Sequence, residues 1–271
     1  MLDLFTSGKK QPGRLKTVTL LTTVAMSVAL TACGGQSESA ATEEKAADDV
    51  LHIATEGAYA PFNYTDAAGN LAGFDVDISN ALCEQMQVTC EIESQDWEGI
   101  IPGLKAKKYD AIVAAMSVTP ERSAQVDFTE PYFTNSLVFI ATKDSAFDPS
   151  QAQMINGHQI AAQRSTISSQ WLENTYPEAD IKMYDTLNNA FLDLESGRVE
   201  AMISDKLPAL EWLSHNNDGF ELKGDEIEID DNFAIAVRKE DPLKQKLNEA
   251  LAAIKANGTY DTLKDKHFSI P

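Results

Sequence analysis

Ala111-Ile112-Val113-Ala114-Ala115-Met116-Ser117-Val118-Thr119-Pro120-Glu121-Arg122 is the stretch on which the fold turns. Its first five residues are small or β-branched and uninterrupted by charge, the pattern of a strand buried on both faces. Thr119 is a capping residue and Pro120 suits the first helical position, so a helix is predicted to start just past that strand. A strand feeding a helix in this way is the repeating unit of an α/β sheet. The alternation continues outward in both directions. Residues 51–55 read as a first strand, and residues 77–86 as a helix that sets Ile78, Leu82 and Met86 on one face. Downstream, strands near 159–162 and 199–204 alternate with helices from about Ser168 and from Leu187 to the Gly197 stop. Asp241-Pro242 opens a last helical region, with Leu243, Leu247, Leu251 and Ile254 along one face and Gly258 as its stop. Two similar α/β lobes with mostly parallel sheets are expected.

Composition narrows the function. Hydrophobic residues make up 43% of the 271 and charged residues 24%, the usage of a globular protein with a packed core. The formal net charge of −20 repels phosphate backbones, which excludes nucleic-acid partners. Lys9, Lys10, Arg14 and Lys16 precede an apolar run over 17–30, shorter than the roughly 20 residues a membrane-spanning helix needs. This reads as an export signal over 1–32. Leu30-Thr31-Ala32-Cys33 resembles a bacterial lipobox, which implies cleavage before Cys33 and a lipid anchor on it. Residues 33–49, rich in Gly, Ser, Ala and Glu, form a flexible tether with a mean reach of about 20 Å. Lipidation accounts for the odd one of three cysteines. Cys83 and Cys90 are left to form a disulfide between a helix and the next strand, with a pair of buried free thiols as the alternative.

Several residues fall where ligands bind in open α/β sheets, beyond the carboxyl ends of strands. Arg122 stands in a helix's first turn, where its charge opposes the macrodipole, and a docked carboxylate would offset that; the alternative is a solvated surface arginine. Asp205 follows the strand over 199–204 and suits a ligand ammonium, although helix capping explains it equally well. Ser165 or Thr166, in the matching turn of the second lobe, reads as a cap. Tyr59 and Trp97 are placed in loops after strands, free to stack on a ligand side chain or to pack in the core. Glu56 is either the distal anion for a basic side chain or a solvated loop acid. His52, His158, His215 and His267 form no metal or nucleophile motif, and no glycine-rich phosphate loop occurs, so neither metal nor cofactor is expected.

Together these segments resemble the bacterial extracellular solute-binding proteins of family 3, the amino-acid-binding components of ABC importers. The resemblance runs from about Leu51 to Phe268. It is carried by 54–62 (Ala-Thr-Glu-Gly-Ala-Tyr-Ala-Pro-Phe), Gly73-Phe74-Asp75-Val76-Asp77, 97–104 (Trp-Glu-Gly-Ile-Ile-Pro-Gly-Leu), 115–122, 127–132 and Gly258-Thr259-Tyr260. It implies a two-lobed fold of the type II periplasmic-binding-protein class, closing on its ligand like a clamp. Lobe 1 would comprise 50–134 and 231–271 and lobe 2 would comprise 135–230, with crossovers near 133–137 and 227–232.

By matching position, the resemblance implies that Arg122 and the Ser117 N–H take a ligand carboxylate and that Thr166 adds an N–H. Asp205 would take the ammonium, assisted by the Ala115 carbonyl. Tyr59 and Trp97 would sandwich the side chain, with Glu56 at its far end. The Cys83–Cys90 disulfide also has a counterpart in the lysine, arginine, ornithine and histidine binders. The expected protein is a lipid-anchored monomer in the periplasm or at the cell surface, delivering a basic amino acid to an ABC permease. Ala114-Ala115 and Gln163-Arg164 depart from the usual basic-amino-acid pattern, and an opine, cystine or glutamine ligand is the alternative. A cyclohexadienyl dehydratase-like enzyme is the competing class, for which the sequence supplies little catalytic material.

Overall fold

The computed structural model describes residues 49–269. The export signal, the tether as far as residue 48, and Cys33 lie outside the described residues. β1 (Val50–Thr55) leads into a small antiparallel sheet of β2 (Ala58–Tyr59), β3 (Asn63–Thr65) and β4 (Leu71–Ala72). Then come α1 (Phe74–Met86), β5 (Thr89–Ser94), α2 (Trp97–Lys105), β6 (Ala111–Ile112), α3 (Pro120–Ser123) and β7 (Asp127–Phe128). The chain crosses to the second lobe on β8 (Phe133–Thr142). It builds α4 (Ala152–Asn156), β9 (Gln159–Gln163), α5 (Ile167–Thr175), β10 (Asp180–Tyr184), α6 (Leu187–Glu195), β11 (Ala201–Asp205) and α7 (Lys206–Asn216). It returns on β12 (Phe220–Phe233) and ends with β13 (Ala236–Val237), α8 (Leu243–Ala256) and α9 (Thr259–Phe268).

The two large sheets share one plan. Their strand orders are β5-β1-β6-β13-β7 and β10-β9-β11-β8-β12. In each, the first three strands are parallel and the fourth runs against both neighbours. That antiparallel strand refines the expectation of mostly parallel sheets. β8 and β13 each follow directly from a passage between the lobes, so neither needs the crossover helix that parallel neighbours require.

Burial follows the patterns that suggest the elements. α1 buries Phe74, Ile78 and Leu82, and full burial of such side chains contributes about 1.5–3 kcal/mol each. The helix starts at Phe74, three residues before the sequence pattern suggests, because Gly73 caps it at φ 115°. A Cβ at Gly73 would stand 2.3 Å from the Phe62 carbonyl oxygen, so this close approach requires glycine. Cys83 on α1 and Cys90 on β5 form the expected disulfide, with Cα atoms 5.8 Å apart.

The strands that join the lobes are fixed by aromatic packing. Phe133 opens β8 and Phe233 closes β12, and both rings meet Phe62, at centroid distances of 5.2 and 5.3 Å. Phe268, from α9, packs on Phe62 at 5.2 Å and on Phe74 at 4.6 Å. The first lobe thus grips both passages through one cluster. Beyond it, β8 and β12 continue as a paired ribbon into the second sheet, with register shifts between Lys223 and Ile227 and between Ile227 and Asp231.

A cleft between the lobes as candidate ligand site

Each lobe presents a strand, a left-handed residue and a helix start to the same cleft. In the first, the chain leaves β6 through Ala115 at φ 44° and reaches α3, a single turn whose Thr119 cap accepts from the Arg122 N–H at 3.2 Å. A left-handed alanine is strained, and its surroundings hold it. The Ala115 N–H donates to the Tyr132 hydroxyl at 3.0 Å, which donates to Asp75 at 2.7 Å, while Asn63 donates to the other Asp75 oxygen at 2.8 Å. Burial pushes the Asp75 carboxyl up to about 6 against these bonds. In the second lobe, β9 ends at Gln163 and Ser165 turns at φ 60°. Thr166 then caps α5, accepting from the Ser169 N–H at 3.3 Å.

These turns border one cavity, lined by Glu56, Tyr59, Trp97, Ala115, Ser117, Arg122, Thr166 and Asp205 together with Ala114, Gln163 and Ile167. All eight residues singled out from the sequence therefore meet at one cavity. Their details differ from expectation in three places. Tyr59 lies on β2 and Trp97 is the first residue of α2, neither in a loop. Asp205 precedes α7 but makes no capping bond with its side chain, so the capping explanation fails. The face of Trp97 is also shared: the Arg122 guanidinium lies 5.0 Å from its ring centroid.

Charge dominates the cavity. Asp205 accepts from the Tyr59 hydroxyl at 2.5 Å and from the Asn135 side chain at 2.8 Å. Burial, then the neighbouring Asp231 carboxylate, push Asp205 up to about 7. The Arg122 guanidinium donates to the Ser117 carbonyl at 2.8 Å and, across the cleft, to the Ser165 carbonyl at 2.9 Å. Burial lowers Arg122 to about 10, which leaves it a cation at neutral pH; Asp231 and Asp205 oppose the shift. Elsewhere in the lining, Gln163 donates to Glu56 at 2.7 Å. Burial pushes Glu56 up to about 7, the Gln163 bond pulls it down, and Asp96 pushes it up further. Arg164, whose direction the sequence leaves open, sits at the exposed rim, 3.2 Å from Asp185 and 3.8 Å from Glu98.

Asn135, Asp231 and a role for Gln163 escape a reading of the sequence. Asn135 and Asp231 lie on the joining strands, and only strand register, which no motif marks, sets them beside Asp205. Gln163 immediately follows the strand predicted near 159–162, the position that carries ligand contacts in such sheets. Among the described residues no group of acidic, histidine and cysteine side chains is arranged to hold a metal ion.

The family model for bacterial extracellular solute-binding proteins, family 3, matches residues 51–270. The chain belongs to that family. It is 37% identical over 226 residues to the ABC transporter arginine-binding protein 1 of Escherichia coli K12, covering 82% of this chain and 92% of the relative. It is 41% identical over 202 residues to the octopine-binding periplasmic protein of Rhizobium meliloti, covering 66% of each chain. Among solved structures, an ancestral arginine-binding protein bound to arginine superposes with a TM-score of 0.77 at 33% identity, covering 81% of this chain and 98% of that one. Family and relatives alike are named as binding proteins, which sets this family-3 chain among binders and not enzymes.

Proposed function

We propose that this family-3 protein captures a free basic amino acid, arginine foremost, between its two lobes and delivers it to the membrane permease of an ABC importer. The observation that carries this reading is Glu56, a carboxylate with 7% exposure that pairs with no cation among the described residues and has a neutral amide, Gln163, as its hydrogen-bond partner. A buried unpaired carboxylate is costly, and a ligand guanidinium would relieve it. In this reading Arg122 and Asp205, which line the same cavity, form its amino-acid end and take the ligand's carboxylate and ammonium. The Ser117 and Thr166 N–H groups and the Ala115 carbonyl complete that end in this reading, with Tyr59 and Trp97 flanking the side chain. The outward position of Arg164 at the rim favours arginine over an opine, whose extra carboxylate would need a further cation inside.

Calorimetric titration of ligand-free protein with arginine, glutamine, cystine and octopine tests the proposal. Arginine is expected to bind most tightly, with lysine, ornithine and histidine next. Tighter binding of glutamine or cystine would overturn the basic-ligand reading, and tighter octopine binding would move the assignment to opines.

In the same reading, 50–134 with 231–271 and 135–230 are the two bodies that close, and the protein works as a monomer. Cys33 carries the lipid that holds it at the outer face of a membrane, in the periplasm or at the cell surface. Among the described residues no helix is long and apolar enough to cross a membrane. Cys33→Ala is therefore expected to shift the processed protein from the membrane to the soluble fraction, and undiminished membrane partitioning would refute the anchor.

A further inference from the structure

Beside Asp205, and outside the residues that line the cavity, stands one carboxylate more than an amino acid's ammonium needs. Asp231 on β12 and Asn135 on β8 are register partners, and Asp205 lies on β11, the strand on the other side of β8. The Asn135 amide nitrogen donates to Asp231 at 2.8 Å and to Asp205 at 2.8 Å. The two acceptor oxygens therefore lie no farther apart than twice that distance. Asp231 has 3% exposure, and the Asn135 and Ser117 side chains are neutral groups that favour its ionised form.

The groups facing this pair leave a surplus of negative charge. Arg122 from α3 is the one cation near both among the described residues, and its guanidinium is already shared between the Ser117 and Ser165 carbonyls. Tyr59 from β2 adds a hydroxyl, which stays protonated because burial and Asp205 drive its pKa up. Lys206, which follows Asp205, is turned to Glu226 of β12. Asp230, beside Asp231, is exposed and bonded to Asn232 at 3.3 Å. Glu56, at the end of β1, adds a further negative charge to the cavity. Two close carboxylates facing a single shared cation do not both ionise readily in a buried site.

We propose that Asp231 is the second carboxylate of the ammonium site, and that it and Asp205 share one proton until a ligand's α-ammonium docks and expels it to solvent. This rests on the amino-acid-binding reading above. The step is an exchange of one bound proton for one bound ammonium. Raised carboxyl positions at both residues agree with it. The sign follows from linkage: a docked ammonium lowers the pair's pKa, so binding weakens as pH falls, by up to about tenfold per pH unit. Acidification would then favour release of any α-amino acid, whatever its side chain.

The test separates this proton from the one on Glu56. In Glu56→Gln protein at pH 6, calorimetric titration with arginine in two buffers of different ionisation heat is expected to show release of about one proton. Adding Asp231→Asn, which removes the second carboxylate and leaves burial as the main cause holding a proton on Asp205, is expected to reduce that release measurably. No proton release from the single variant, or the same release from the double variant, would overturn the proposal. Carbon-13 titration of the aspartate carboxyls in ligand-free protein needs neither variant nor ligand. It is expected to show the Asp205–Asp231 pair retaining a proton well above the ordinary carboxylate range, and ordinary titration of both would overturn the proposal independently. Absence of arginine binding at any pH would instead refute the proposed function, with the carboxyl titration still deciding the fate of the pair.

Discussion

Arg122→Met protein is expected to bind amino acids about a thousandfold more weakly than the parent while keeping its fold. In the proposed function the guanidinium takes the ligand carboxylate, and its orientation is fixed by the bonds it donates to the Ser117 and Ser165 carbonyls. Removing one member of a buried, hydrogen-bonded charge pair typically costs 2–5 kcal/mol, of which about 4 corresponds to three decades in Kd. Methionine keeps an unbranched apolar stem and removes the charge, its donors and the guanidinium over Trp97. Lysine would not substitute well, because a point charge cannot make both bonds of the planar fork. Calorimetry against arginine measures the loss, and circular dichroism checks the fold. Binding within tenfold of the parent in a normally folded variant would remove Arg122 from the site.

Glu56→Gln is expected to weaken arginine by between about tenfold and a hundredfold, and glutamine far less. In the proposed function the carboxylate meets a guanidinium only in the arginine complex, and a charge-assisted bond of that kind contributes about 1.5–3 kcal/mol. The pH profile supplies a second readout. Burial holds the ligand-free Glu56 carboxyl at about 7, and a docked guanidinium favours the ionised form and lowers it. Arginine binding should therefore tighten as pH rises through about 7 and weaken below it, where a proton must first leave. Glu56→Gln should flatten that part of the profile. Equal weakening of arginine and glutamine, with an unchanged profile, would show that Glu56 supports the cavity wall and does not meet the ligand.

Much of this architecture is legible without coordinates, for reasons particular residues make plain. The run from Ala111 to Ala115 could only be buried on both faces, and Thr119-Pro120 could only open a helix, so the first lobe's strand-to-helix corner is written locally. Regular strand pairing stops at Ile112 all the same, since the chain must twist through left-handed Ala115 to reach that corner. Asp205 shows where local reading stops short. Capping and ligand binding predict the same residue at the same place, and only the direction of its side chain, toward Tyr59 and Asn135, separates them. Asn135 and Asp231 are less legible still, because their meaning lies in the register between two strands that brings together residues 96 positions apart in the chain.

Trp97 and Ser165 meet across the cleft, the indole N–H donating to the Ser165 carbonyl at 3.2 Å, and the Ser165 hydroxyl donates to Glu98 at 3.3 Å. With the Arg164–Glu98 pair at 3.8 Å they form a rim that joins the lobes mostly outside the space a ligand would fill. For a clamp, apparent affinity is the intrinsic affinity scaled by the fraction of molecules able to hold the ligand. Strengthening or loosening these outer bonds changes that fraction alike for every ligand, whereas Glu56 ranks one ligand against another. Such a division would let selection match the protein to scarce or abundant nutrient supply by altering rim residues such as Glu98 and Arg164, with the preference for a particular nutrient left intact.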